Sequence, residues 1–295
     1  MQIESLKMFC DLAETESFTK AAQMSRVTQS AISQQISSLE RKFNSLLVER
    51  SKKKFGLTRE GQVVYEFSKQ ILATHEALHS KFQEIKSVVS GTIRLATIYS
   101  IGLHDLPPYV KKFLKQYPTV NMHVAYRHAS QVYADVLGNV VDLGLIAYPT
   151  RDPGLEIVPL RKELLVLICH PNHPFAKAKS LRLPELQGQK FIHFESEIPT
   201  RRAIDKLFKD AKVTVQPVME FDNIETVKRA VEVEAGVAIV PETTITQEVS
   251  KKTLAEVKLD GKNLYRPLAA IYKKRKVLSP ALRQFLTVLK GEEEQ

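Results

Sequence analysis

A chain of 295 residues with 43% hydrophobic and 26% charged side chains can bury real cores and has room for two domains or more, which excludes disorder as its default state. Lysine and arginine outnumber the acids by 43 to 33, a formal charge of +10, so polyanions are candidate partners. Cys10 and Cys169 cannot build a disulfide framework, and there is neither a basic leader nor a run of about 18 apolar residues; a cytoplasmic protein with no membrane partner is expected.

The charge is uneven. Residues 1–16 hold four acids against Lys7, whereas residues 41–59 hold Arg41, Lys42, Arg50, Lys52, Lys53, Lys54 and Arg59 against Glu49. Up to about residue 90 the pattern is helical. Residues 4–14 predict a first helix with Leu6, Phe9, Cys10, Leu12 and Ala13 inward. Ser17 can N-cap a short second helix ending near Ser25, and Thr28 a third running to about Phe43. On the third, Ile32, Ile36 and Leu39 fall at i, i+4 and i+7, an apolar stripe for the core. The other side carries Thr28, Gln29, Ser30, Ser33, Gln34 and Ser37, short hydrogen-bonding groups suited to base edges in a major groove. On an isolated helix such a face would simply be solvated. Here a helix, a short helix with Ala21 and Ala22 at the crossing and a tight turn precede it, the helix-turn-helix order. The following LLVERSKKKFGLT reads as strand, basic turn and strand, a wing in which Arg50, Lys53 and Lys54 would meet phosphates or the minor groove.

These residues resemble the winged helix-turn-helix of LysR-type transcriptional regulators. The resemblance rests on Ser17-Phe18, Ala21-Ala22, the run from Thr28 to Ser33, Leu39-Glu40, Arg50, and Leu57-Thr58 with Gly61. Met24, Phe43-Asn44 and Leu47-Val48 depart from the usual Leu, Leu-Gly and Leu-Phe without touching the reading face. The resemblance implies double-stranded DNA bearing an imperfect palindrome as partner, a dimer through a linker helix assembled into a homotetramer, and RNA polymerase as a further candidate partner.

From Thr58 to about Val89, apolar residues recur at Val64, Phe67, Ile71, Leu78, Ile85 and Val88 in a heptad register broken at Thr74 and Lys81. A second copy of the helix is the simplest cover for that stripe; packing on the body of its own chain is the alternative. His75 and His79 share a face at i, i+4, and without a third ligand they read as surface residues.

At residues 88–92 the texture changes to short apolar runs alternating with helices, such as TIRLATI, VNMHVAY, DLGLIAY, ELLVLICH, KFIHFES and GVAIVP, an α/β pattern around mostly parallel sheets. The expected architecture is a winged helix-turn-helix at 1–58, a linker helix and hinge at 59–90, and an effector-binding domain at 91–295. Following the strands gives that domain two lobes, 91–161 with 267–291 and 162–266; the resemblance implies a two-lobed, periplasmic-binding-protein-like effector domain. Ligands in open α/β folds bind beyond the carboxyl ends of strands. This nominates Thr97, Ser100, Ile101, His128 and Tyr148 in lobe one, with Thr200, Arg201 and Asn223 in lobe two. Pro199-Thr200-Arg201-Arg202 opens a helix whose free N–H groups favour an anion, unless Thr200 merely caps it and Arg201 is solvated. A small anionic effector between the lobes fits, and residues 91–295 carry 30 basic against 23 acidic side chains.

An enzyme is the main rival, but no G-x-S-x-G, H-E-x-x-H, P-loop or G-x-G-x-x-G occurs, and no cofactor or metal is expected. An exported solute-binding protein would leave residues 1–90 without purpose. A redox sensor would need a reactive thiol pair in the sensing half, where only Cys169 stands, inside an apolar run.

Overall fold

The computed structural model describes residues 2–51, 54–85, 89–261 and 264–291, side chains at 50, 51, 54, 80, 83 and 84 excepted. The chain divides into two compact units, Met1–Ser87 and Val88–Gln295.

In the first unit, α1 (Ile3–Thr15), α2 (Phe18–Ser25) and α3 (Gln29–Phe43) precede β1 (Val48–Ser51), β2 (Lys54–Leu57) and the 27-residue α4 (Arg59–Ile85). The helix starts are local chemistry: the Ser17 hydroxyl accepts the Lys20 N–H at 3.4 Å and the Thr28 hydroxyl that of Ala31 at 3.2 Å. The ends are left-handed residues, Glu16, Arg26 and Asn44; asparagine tolerates that conformation, so Phe43-Asn44 stops α3 without the usual glycine. Ile32, Ile36 and Leu39 are buried against Leu6, Phe9, Leu12 and the Ala21-Ala22 pair, about 1.5–3 kcal/mol for each large side chain. The buried Glu40 carboxylate accepts the Leu47 and Val48 N–H groups and so fixes the start of the antiparallel β1–β2 hairpin to the end of α3. A Cβ at Gly61 would lie 2.0 Å from the Leu47 carbonyl oxygen, so only glycine lets α4 pass this close. Tyr65 and Lys69 hold α4 to α1 through Glu14.

The second unit contains β3 (Gly91–Thr97), α5 (Pro107–Gln116), β4 (Val120–Tyr126), α6 (Ala129–Leu137), β5 (Leu143–Ala147), β6 (Leu155–Cys169), β7 (Ser180–Arg182) and β8 (Lys190–Phe194). It continues with α7 (Pro199–Ala211), β9 (Gln216–Phe221), α8 (Ile224–Glu232), β10 (Ala238–Pro241), α9 (Thr246–Lys251), β11 (Ala255–Asp260), β12 (Tyr265–Lys273) and α10 (Pro280–Lys290). One sheet runs β4-β3-β5-β12-β6-β11-β7, with β10 also on β6, and β8 pairs β9 separately. In the first lobe Leu143, Leu145 and Ala147 face α5 and α10, while Ile146 faces α6, the alternation of a strand covered on both sides. In the second, the last five residues of β6 are wholly buried against α7 and α8.

The expectation of mostly parallel sheets needs correction. The β3–β4, β3–β5, β7–β11 and β8–β9 pairs are parallel, but every pairing of β6 and β12 with the strands beside them is antiparallel. The cause is β6 itself. It is one 15-residue strand crossing residues 161 and 162, where the sequence suggested a lobe boundary, and Pro159 sits at a register irregularity opposite Leu268 and Ala269. Proline in a run reads as an interruption; here the ladder absorbs it. No helix among the described residues is long and apolar enough to cross a membrane.

Candidate nucleic-acid interface and ligand cleft

On α3, Gln29, Ser30 and Gln34 are exposed and Thr28, just ahead of them, is exposed while capping the helix; Ser33 and Ser37 are half-buried. The face is therefore polar and open over its first turn and a half, where a helix entering a groove presents its N-terminal residues. Lys53 lies outside the described residues, as do the side chains of Arg50 and Lys54.

Along α4, Val63, Phe67, Ile71, Leu78, Phe82 and Ile85 are exposed, Phe67 at 60% and Ile85 at 79%. Val64, the first residue of the heptad register, instead packs on the core of the first unit, and Val88, its last, lies outside the described residues. His75 and His79 stack edge to face at 4.6 Å.

The second unit holds a cleft of about 740 Å³ between its lobes. From lobe one, Tyr99 and Ser100 follow β3, Arg127 and His128 follow β4, and Tyr148 and Thr150 follow β5. From lobe two come the turn between β8 and α7 and Asp222 to Ile224 after β9. All are carboxyl ends of strands, where amides at helix starts are unpaired.

Ser100, His128, Tyr148, Thr200 and Asn223 line this cleft, whereas Thr97, Ile101 and Arg201 lie outside its lining. Thr97 is wholly buried and donates to the Ile98 carbonyl, and Ile101 belongs to the lobe-one core. Arg201 donates to Asp205 at 2.9 Å, Glu220 at 2.9 Å and the Phe194 carbonyl at 2.7 Å, so acids on another side of α7 claim its charge. Thr200 is buried and does not cap α7, whose N-cap is Ile198. The Asn223 side chain is largely committed, its carbonyl accepting the Glu225 and Thr226 N–H groups.

Sequence reasoning missed the floor. Arg266, 2% exposed at the start of β12, donates to Glu163 through Nε at 2.8 Å and Nη2 at 2.5 Å, and through Nη1 to the Ser100 hydroxyl at 3.0 Å. Thr243 completes Glu163 with a donated bond of 2.7 Å. Because Arg266 fills a lone pair of Ser100, the Ser100 proton remains to donate. The Tyr148 hydroxyl lies buried without a protein partner, on a residue with φ of 51°, strained for a bulky side chain. Burial pushes its acidity to higher pH against the pull of Arg266, keeping it a neutral donor. Arginines 127, 202 and 266 and the acids Glu195, Glu197 and Asp222 all line the cleft, but Arg266 is bound to Glu163 and Arg127 to Asp135.

The chain matches two family models: residues 3–62 match the bacterial regulatory helix-turn-helix protein of the lysR family, and residues 86–293 the LysR substrate binding domain. It is 29% identical to the HTH-type transcriptional activator CmpR of Synechocystis over 99% of this chain and 96% of that one. CbnR, solved in complex with its target DNA, superposes with a TM-score of 0.69 at 22% identity over 99% of both chains. The regulatory domain of CcmR from Synechocystis, solved with 2-PG, superposes at 0.63 with 24% identity over 68% of this chain and 97% of that one. With an N-terminal reader and a ligand-binding fold each matched over its own length, this chain belongs to the LysR family of DNA-binding transcriptional regulators.

Proposed function

We propose that a small anionic metabolite bound between the two lobes controls how this regulator sits on its operator. The observation that carries the reading is the buried Tyr148 hydroxyl without a protein partner, on a residue that lines the same cleft as Ser100: two neutral donors on one cleft wall suit an oxygen acceptor the protein does not supply. Across the cleft, Pro199 at the start of α7 leaves the amides of Thr200 and Arg201 without intrahelical acceptors, a second set of donors for the same ligand. An anion is favoured by this donor set, two hydroxyls and two helix-start amides. 2-PG, found with the CcmR domain, is the first probe, with simple carboxylates beside it. A ligand of the folded state raises the melting temperature; Ser100→Val and Tyr148→Phe should each reduce that rise, and wild-type shifts in both variants would place the site elsewhere.

On the DNA side, α3 reads an imperfect palindrome with Gln29, Ser33 and Gln34, while Arg50, Lys53 and Lys54 hold the backbone or minor groove, each mismatched base pair costing about 1–3 kcal/mol. Footprints that keep their sequence preference in Gln29→Ala with Ser33→Ala would dismiss α3 as the reader. The exposed stripe on α4 supports a dimer through that helix and a tetramer of two such pairs. Light scattering that finds a monomer at micromolar concentration would end that part of the reading.

A further inference from the structure

A second polar cluster joins the lobes beside the cleft. β3 leads through Ser100 into a π-helical turn, Ile101–Asp105, packed so closely that a Cβ on Gly102 would lie 2.5 Å from the Thr97 methyl and 2.6 Å from the Tyr126 ring. On this lobe-one turn His104 Nε2 meets Glu225 Oε1 of lobe-two α8 at 2.7 Å, with side-chain exposures of 17% and 37%. Glu225 stands directly after the cleft residues Asn223 and Ile224, and His104 four residues after Ser100. The tie thus links the two walls at residues adjoining the ligand site.

Its charges do not close without the histidine. Lys228, almost wholly buried, contacts Glu225 at 3.0 Å, Glu248 at 2.9 Å and the Thr244 carbonyl at 3.0 Å. One ammonium between two carboxylates leaves one negative charge in excess, and Glu248 Oε2 is buried without a partner. On α8 itself Arg229, which also feels Glu225 and Glu248, is paired with Glu232 at 2.5 Å. Asp105 on the same turn is held by Arg161 of β6, which lies over the Tyr109 ring of α5; β5 has no charged side chain. Lysines 111, 112 and 115 of α5 and Glu242 of the 3₁₀ turn Glu242–Ile245 are exposed. Burial opposes ionisation of Glu225, yet hydrogen bonds from Lys228 and His104 outweigh it and hold the carboxyl below its usual range.

We propose that His104 and Glu225 are positioning residues that tie the lobes together, and that a proton on His104 completes the cluster and tightens the tie. The consequence for ligand affinity rests on the cleft being the effector site; the tie itself does not.

The test uses the full chain with spin labels at Lys115→Cys in lobe one and Lys209→Cys in lobe two, both exposed, while Cys10 and Cys169 are buried. Inter-lobe distances are measured at about pH 6 and about pH 8 without ligand. The wild type should give a narrower distribution at the lower pH. His104→Gln, which keeps a donor but no titrating charge, should show no pH response, and His104→Ala should be broad at both. A wild-type distribution that ignores pH, a response that persists in His104→Gln, or a His104→Ala distribution identical to wild type would each overturn the proposal. If the labels respond to His104 while neither 2-PG nor any carboxylate shifts the melting temperature, the ligand reading fails and the tie stands; the opposite pair of results removes the tie alone.

Discussion

Among the described residues the second unit buries two cations, and they are balanced differently. Arg266 lies against a single carboxylate, with Ser100 accepting a further guanidinium bond and Thr243 donating to the carboxylate, so the charges within the group cancel. Lys228 lies between two carboxylates, and one of them, Glu225, reaches outside the trio to His104 in the other lobe as a fourth member. A planar guanidinium with a fixed fork matches one carboxylate in two bonds, whereas an ammonium is a point charge that collects anions around it. The closed group makes a rigid floor; the open one can be completed or left incomplete.

The largest expected effect comes from opening the closed group. Arg266→Met strands the Glu163 carboxylate, and removing one partner of a buried pair costs about 3–5 kcal/mol. Urea denaturation should show that loss, with much of it restored when Glu163→Leu is added. An undiminished midpoint in the single variant would mean that Glu163 reaches water. Next is Lys228→Met, expected to cost about 3 kcal/mol near neutrality because two carboxylates then face each other. The pH dependence sharpens the comparison. Glu225 has its folded value below the ordinary 4.5, so its contribution is complete above that pH and fades as pH falls through the lowered value. In Lys228→Met the carboxyls protonate more readily, so the stability gap to wild type should shrink as the pH is lowered from neutrality towards that value. A gap that widens would assign the charge balance wrongly. The smallest effect is Thr243→Val, which removes one hydrogen bond to a charged acceptor and should cost about 1.5–3 kcal/mol, leaving the His104 tie untouched in label distances.

What could be read in advance follows the range of the interactions. Ser17 and Thr28 as caps, and Ile32, Ile36 and Leu39 as a stripe, are consequences of residues within seven positions of one another. Ser100, Tyr148 and Thr200 could be nominated because strand ends mark themselves. Which neighbour faces the cleft was not legible, for it depends on one step of pleat at Thr97 and one of helical rotation at Arg201, whose acids Asp205 and Glu220 lie on its own side. The floor was beyond reach, since Arg266 and Glu163 lie 103 residues apart and a lone arginine at a strand start carries no mark of burial. The heptad on α4 was legible as a stripe, but Val64 went to the core of its own unit because Gly61 lets the helix start lie against Leu47.

The thread through both lobes is a strand and not a loop. β6 is ladder-paired with β12 from Leu155 to Leu164 and with β10 and β11 from Leu165 to Cys169, and the changeover is itself bonded, the Leu165 N–H to the Leu264 carbonyl at 2.7 Å. Mechanically the lobes are mounted on a twisted ribbon, so a change in their angle is an elastic torsion spread over many peptide units, resisted in proportion to its size and reversed when the load is removed.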